Sequence, residues 1–300
     1  MVDTLYALIS EDIRIRDPFI VPDREQGLYT MFGTTDTDPW NGPGEGFLAY
    51  QSPDLQHWSQ PIQVFSPPAG FWGKKNFWAP EVHFYRGRWY LIASFKSEDH
   101  CRGVQIFSSD GITGPYLSVS EGPVTPKEWE CLDGTLFVDD HGKPWLVFSH
   151  EWLQISDGAV CCARLSPDLR KLITSPITLF HGSDAPWVIP STGEMVIRSG
   201  KNYVTDGPFL YHDPAGTLCM LWSSFGKNGY SIGIARSSTG NILGPWEQEP
   251  APKFKNGGHG MLFDALNGTR YLAIHSPNTD KQERLKIIQF NNIKGERVYE

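Results

Sequence analysis

What this sequence has little of narrows its reading first. No run of Lys or Arg occurs anywhere, and 34 acidic residues against 26 basic ones leave a formal net charge of -8. A nucleic-acid or anionic-membrane partner calls for a basic face, so neither is expected. No apolar stretch approaches the roughly 20 residues that cross a bilayer as a helix. The five cysteines, Cys101, Cys131, Cys161, Cys162 and Cys219, are odd in number and show no CxxC or Cys/His ligand spacing. They read as free thiols in a reducing compartment. The start, Met1-Val2-Asp3-Thr4-Leu5-Tyr6, carries an early acid and neither a basic region nor a long apolar core. No signal peptide is visible there, so a cytoplasmic location is expected, although a trimmed secreted chain would look the same. Helical periodicity is nearly absent, its best trace lying around Phe180 to Trp187, and no Pro- or Ser-rich linker divides the chain.

Aromatics and turn formers are plentiful: 11 Trp, 11 Tyr, 17 Phe, 30 Gly and 23 Pro, which suits short strands joined by tight turns. Arg16-Asp17-Pro18-Phe19-Ile20 leads past Gly27 into the apolar run Leu28–Phe32. The arrangement returns at Ala79-Pro80-Glu81-Val82, Asp133-Gly134-Thr135-Leu136, Asp206-Gly207-Pro208-Phe209 and His259-Gly260-Met261-Leu262. Each copy is followed by a Gly turn and a second apolar run, the pattern of a β-hairpin. A third strand and a closing turn with an aromatic, such as Gly114-Pro115-Tyr116 or Gly244-Pro245-Trp246, complete most units. Sandwiches and jelly rolls are also built from such hairpins. Five copies spaced by roughly 50 to 75 residues point instead to an all-β, five-bladed β-propeller, with 1–300 a single domain.

In a propeller the innermost strands begin on one rim of the central channel, and the antiparallel second strands end on that rim. The heads Asp17, Ala79, Asp133, Asp206 and His259 therefore converge, joined by 34–40, 95–97, 150–152, 225–228 and 275–278. Acidic and aromatic walls suit a neutral polyhydroxylated ligand, whose apolar faces pack on rings while its hydroxyls bond to carboxylates. Each Asp taken singly is also an ordinary turn residue. Together, clustered buried acids repel, which raises the pKa of at least one of them. Glycosidic hydrolysis uses that inequality: one carboxylic acid protonates the leaving oxygen while an ionised one drives water or attacks the sugar.

These stretches, with Phe77-Trp78-Ala79-Pro80-Glu81-Val82, Leu132–Lys143 and Gly257-Gly258-His259-Gly260, resemble glycoside hydrolase family 43 over essentially the whole chain. That family consists of five-bladed propeller enzymes acting mostly on arabinose- and xylose-containing glycans. The resemblance implies that Asp17 is the general base activating water and Asp133 the residue that orients the acid and adjusts its pKa. The family's acid is usually a Glu opening the fourth blade, where this chain has Asp206, one methylene shorter. Asp206 and Glu151, on the rim beside that blade, are both candidates. Glu81 reads as support. The resemblance also implies inversion, with acid and base carboxyls roughly 6.5–9.5 Å apart. A structural calcium near His259 is a further implication, set against a purely hydrogen-bonding role, since histidine is not a typical calcium ligand.

Trp40, Trp78, Trp152, Trp187 and Trp222 are candidate sugar platforms, with Arg16 and Ala79 beside them; core packing is the other reading of each Trp. Asp54, Asp139 and Asp140 read as turn acids. The expected activity is an inverting exo-glycosidase releasing terminal α-L-arabinofuranosyl or β-xylosyl residues from plant-type oligo- or polysaccharides. Long loops at 34–46 and 181–202 would shape its pocket. A β-galactosidase specificity is one alternative. A retaining fructosidase-like enzyme is another, with Glu130 of Trp129-Glu130-Cys131-Leu132-Asp133 as acid/base and Asp17 as nucleophile. A non-catalytic sugar-binding propeller is the third.

Overall fold

Short strands meet at turns that the sequence writes plainly. Asp23, Asp139 and Asp213 each accept backbone N–H bonds from residues two to four positions on, closing three hairpins as Asx turns. The computed structural model describes residues 5–191 and 200–290. Parts of the expected domain 1–300 and of the loop 181–202 thus lie outside the described residues.

The hairpins assemble into five antiparallel blades. Blade one contains Arg16–Asp23, Leu28–Thr34, Phe47–Ser52 and Ile62–Phe65. Blade two is built from Lys75–Tyr85, Arg88–Lys96, Gly103–Ser109 and Leu117–Ser118. Blade three uses Cys131–Val138, Pro144–His150, Ala159–Arg164 and Ile177–His181. In blade four, Asp206–His212, Leu218–Gly226, Gly229–Ser237 and Trp246–Gln248 pair in order, and Phe254–Lys255 joins the third strand. Blade five has Gly258–Asp264, Arg270–Ser276 and Arg284–Gln289. The segment before blade one closes the ring on it: Arg14 bridges Arg284 antiparallel, and the Ile15 N–H donates to the Glu283 carbonyl at 3.3 Å. The strand-like alternation of residues 12–16 thereby acquires its partner. Among the described residues no helix is long and apolar enough to cross a membrane.

Blades pack through aromatic faces. Phe47, Phe65, Phe77, Phe95 and Phe107 interlock between blades one and two, with Phe95 lying 4.8 Å from Phe77 and 5.5 Å from Phe107. Between blades three and four, Trp222 is fully buried, its ring 5.2 Å from both Phe180 and Trp187, and its indole N–H donates to Gln248 Oε1. This corrects the reading of Trp222 and Trp187 as sugar platforms. Trp222 lies in the middle of a second strand and faces the neighbouring blade, so core packing takes its ring.

At the pocket end every innermost strand breaks register with its neighbour: between Arg16 and Phe19, Trp78 and Glu81, Leu132 and Thr135, Asp206 and Phe209, and Gly258 and Met261. A bulge follows each break, and its residue is left-handed: Asp17 (φ 51°), Ala79 (47°), Asp133 (55°), Gly207 (52°) and His259 (48°). The repeat position in blade four is therefore Gly207, and Asp206 stands one residue earlier, level with Arg16, Trp78 and Leu132. Left-handed non-glycine residues cost on the order of 1–3 kcal/mol each and persist only where their surroundings enforce them.

Here a side chain from the end of the preceding blade's second strand does the enforcing. The Ala79 N–H donates to Thr34 Oγ1 (2.8 Å), Asp133 N–H to Ser94 Oγ (2.9 Å) and His259 N–H to Ser223 Oγ (2.9 Å). The Asp17 N–H donates to His275 Nδ1 at 3.2 Å. Blade four differs, for the Gly207 N–H donates to Asp133 Oδ2 (2.9 Å), while the corresponding Ser149 hydroxyl, buried in blade three, has no partner.

The phenyl packing joins blade one to blade two. Phe95→Ala is expected to destabilise the fold by about 3–5 kcal/mol, read as a lowered denaturant midpoint at unchanged m-value.

Candidate active site

A cavity of about 560 Å³ opens on the axis where first strands begin, second strands end and third strands begin. Asp17, Asp133, Asp206, Glu151 and His259 face it together, as the repeat leads one to expect. Arg16, Trp40, Trp78 and Trp152 line it as well. Ala79 does not: it is buried, and its contribution is the bulge held by Thr34.

The acids are held in unlike states. Burial pushes the Asp17 carboxyl up, but the charges of His259 and Arg16 and the Thr34 hydroxyl, which donates to Oδ2 at 2.7 Å, outweigh it. Asp17 ends below the usual carboxylate range and is ionised. Asp206 is also buried, and with the Asp133 charge beside it its pKa is pushed up to about 8. The His259 charge opposes this, and so does the Tyr230 hydroxyl, which donates to Oδ2 at 2.9 Å. Asp133 lies between these extremes: burial and the Asp17 charge raise it to about 6, against the pull of His259 and of the Gly207 N–H.

Two histidines complete the floor. His259 Nδ1 is 3.3 Å from Asp17 Oδ1 and 3.5 Å from Asp133 Oδ2. Burial would lower its pKa, but the surrounding carboxylates raise it above the usual value. His275 is fully buried beside Arg16, and its pKa falls to about 3. It is neutral: Nδ1 accepts from the Asp17 N–H, and Nε2–H donates to Asn278 Oδ1 at 3.0 Å.

Glu151 is committed elsewhere. Burial raises its pKa while Arg102, paired with it and itself buried, works the other way. The Arg102 guanidinium also donates to Asn76 Oδ1 and lies 4.3 Å over the Trp78 ring. Glu130, the acid/base of the fructosidase-like alternative, does not line the cavity: Lys96 Nζ holds one oxygen at 2.6 Å and the Arg102 N–H the other at 2.8 Å. Glu81 accepts from His83 Nε2 at 2.8 Å.

Sequence reasoning missed Arg102, Asn76 and Tyr230. Arg102 and Tyr230 stand where the third strands of blades two and four begin, an end that returns to the rim just as first-strand starts do. Following the strand count one step further would have found both.

Around His259 the described residues offer no cage of direct protein ligands for the expected calcium. Calcium takes roughly six to eight oxygen ligands, and His259 turns Nδ1 to two carboxylates as an ion-pair partner. Among the described residues no group of three or more His, Cys, Asp or Glu side chains is placed to hold a metal ion.

Comparison with known proteins extends this geometry. The profile of "Glycosyl hydrolases family 43" matches residues 12–292. The crystal structure of endo-arabinase from Bacteroides thetaiotaomicron VPI-5482 superposes with a TM-score of 0.88 at 38% identity, covering 97% of this chain and 99% of that one. Extracellular exo-α-(1→5)-L-arabinofuranosidase ArbA of Cellvibrio japonicus is 24% identical over 94% of this chain and 85% of its own. Extracellular endo-α-(1→5)-L-arabinanase 1 of Bacillus subtilis is 25% identical, but the match spans only 46% of this chain and 44% of that protein.

The Tyr230 hydroxyl donates to the charged form of Asp206 and so lowers its pKa. Tyr230→Phe is expected to raise the Asp206 titration midpoint by about one pH unit, read by carboxyl-carbon NMR. An unchanged midpoint would show that the hydroxyl contributes nothing to the acid's state.

Proposed function

The chain belongs to glycosyl hydrolase family 43 and is a glycoside hydrolase, and from that premise we propose that it cleaves α-L-arabinofuranosyl linkages with inversion. The observation that carries the reading is one cavity in which Asp17, set against His259 and the Thr34 hydroxyl, faces the same space as a buried Asp206 held by Tyr230; the first environment favours the charged carboxylate and the second the protonated acid. Asp17 takes a proton from water, and the water oxygen bonds to the anomeric carbon. As the glycosidic C–O bond breaks, Asp206 gives its proton to the leaving oxygen. Exchange with solvent then returns Asp17 to its ionised form and Asp206 to its protonated one.

Asp133 acts through position. Its Oδ2 holds the Gly207 N–H, which fixes the backbone next to Asp206, and its charge keeps the acid's pKa high. Tyr230 occupies Asp206 Oδ2, which leaves Oδ1 to carry the proton toward the sugar. Glu151 is assigned to sugar binding, because its pairing with Arg102 holds the carboxyl in place at the cavity wall, where it can accept from sugar hydroxyls. Asp206 is accordingly the acid, and its shorter side chain is served by a bulge that begins one residue later than the repeat suggests.

An α-1,5-linked arabinan is favoured as substrate by the Bacteroides relative, an endo-arabinase, and the Cellvibrio relative, an exo-α-(1→5)-L-arabinofuranosidase. The former, at 38% identity, supports cleavage within the chain. A second reading is the terminal cleavage expected from the loops, which the exo-acting Cellvibrio relative supports over nearly the whole chain.

Digestion of linear arabinan is expected to give a ladder of oligosaccharides before arabinose accumulates; arabinose alone from the start would establish terminal cleavage. Asp17→Asn should lower kcat by about 10²–10⁴-fold. Asp206→Asn should lose activity on arabinan yet keep much of it on an aryl arabinofuranoside with a good leaving group, which needs no proton. Proton NMR of the first-formed product should show the inverted anomer, and retention would end this mechanism.

A further inference from the structure

Beside the catalytic cavity lies a second one, of about 690 Å³, and Asn41 lines both. Its aromatic floor is Trp72, a half-buried ring that no step of the chemistry uses. The Trp72 indole N–H donates to Gln105 Oε1 at 2.5 Å, and Gln105 in turn donates to the Ser120 carbonyl at 3.1 Å. Phe71 and Phe95 back the ring at 6.0 and 6.1 Å. Such a ring loses little conformational entropy on binding, because the fold has already fixed it. Around it stand both kinds of hydrogen-bonding group: the exposed His100 ring, 5.6 Å from Trp72, the Asn41 carboxamide, and the side chains of Lys75 and Asp99. A flat apolar ring with mixed donors and acceptors of both charges fits a neutral polyhydroxylated chain better than an ion of either sign.

We infer that Trp72 is a second sugar platform, which takes the part of an arabinan chain lying several residues from the bond being cut. Its place follows from continuity. A chain leaving the acid and base passes the Trp40–Trp78 edge-to-face pair, whose centroids are 5.1 Å apart, and Asn41 then opens onto Trp72. This rests on the arabinan reading above and deepens it, since a platform beyond the catalytic cavity favours long substrates and internal cleavage.

The test is calorimetric binding of α-1,5-arabino-oligosaccharides, from the disaccharide to the hexasaccharide, to the catalytically disabled Asp17→Asn protein. Affinity is expected to climb with length. Adding Trp72→Ala should remove about tenfold of the hexasaccharide affinity, the loss of one stacked ring, and flatten the climb. His100→Ala, at an exposed position, should flatten it in the same direction if Trp72→Ala does not fold. The same length dependence in all three proteins would overturn the platform while leaving the arabinan reading intact. Binding of none of the oligosaccharides by the Asp17→Asn protein would overturn the arabinan reading, and the platform with it.

Discussion

The constraint on which the rest depends is a hydrogen bond between each bulge and the blade before it. Five innermost strands must bend at the same height to aim their side chains across the axis, and a left-handed residue achieves the bend. Left alone, that conformation is unfavourable for Asp17, Asp133 and His259. Thr34, Ser94, Ser223 and His275 hold the bulge N–H groups in four places. The same bonds tie blade to blade, so the ring and the site are enforced together. Thr34 joins the two functions most directly, accepting from Ala79 while it donates to Asp17.

In the fourth junction the pattern breaks where the chemistry needs it to. Asp133 takes the N–H of Gly207 and leaves Ser149 without its counterpart. An extra methyl at Gly207 would meet the His259 ring at 2.9 Å, so glycine is required there both for its left-handed backbone and for room. Through this junction the charge of Asp133 is brought against Asp206. Burial, with the Asp133 charge beside it, then raises Asp206 above the usual carboxylate range, and His259 helps keep Asp17 on the ionised side. One family of contacts thus supplies the ring's closure, the acid's height and the inequality of pKa.

Much of this is legible in the order of residues alone. The hairpin repeat, the heads at Asp17, Asp133 and His259, and the place of Trp40, Trp78 and Trp152 on the rim all follow from strand periodicity and antiparallel return. Asp206 stands one register position away from where the repeat seems to put it, because Asp-Gly-Pro mimics the Asp-Pro and Asp-Gly of the other heads. Arg102 and Tyr230 escape a reading of hairpin heads because they begin third strands. Trp222 misleads because an aromatic in a second strand reads the same whether it faces the axis or the next blade. Calcium at His259 is an implication of resemblance, and the imidazole's orientation toward two carboxylates argues against a cage of protein ligands there.

By itself the sequence determined the number of units and which hairpin heads stand near the axis. Both are one-dimensional properties: turn spacing and a side-chain period of two. Only the tertiary structure decided which charges surround each carboxyl and which rings face the cavity. Those choices depend on what lies across the cavity, at sequence separations such as the 74 residues between Asp133 and Gly207. A carboxylate's chemistry is set by its dielectric surroundings and the charges within a few ångströms of it, and a linear chain does not state those distances.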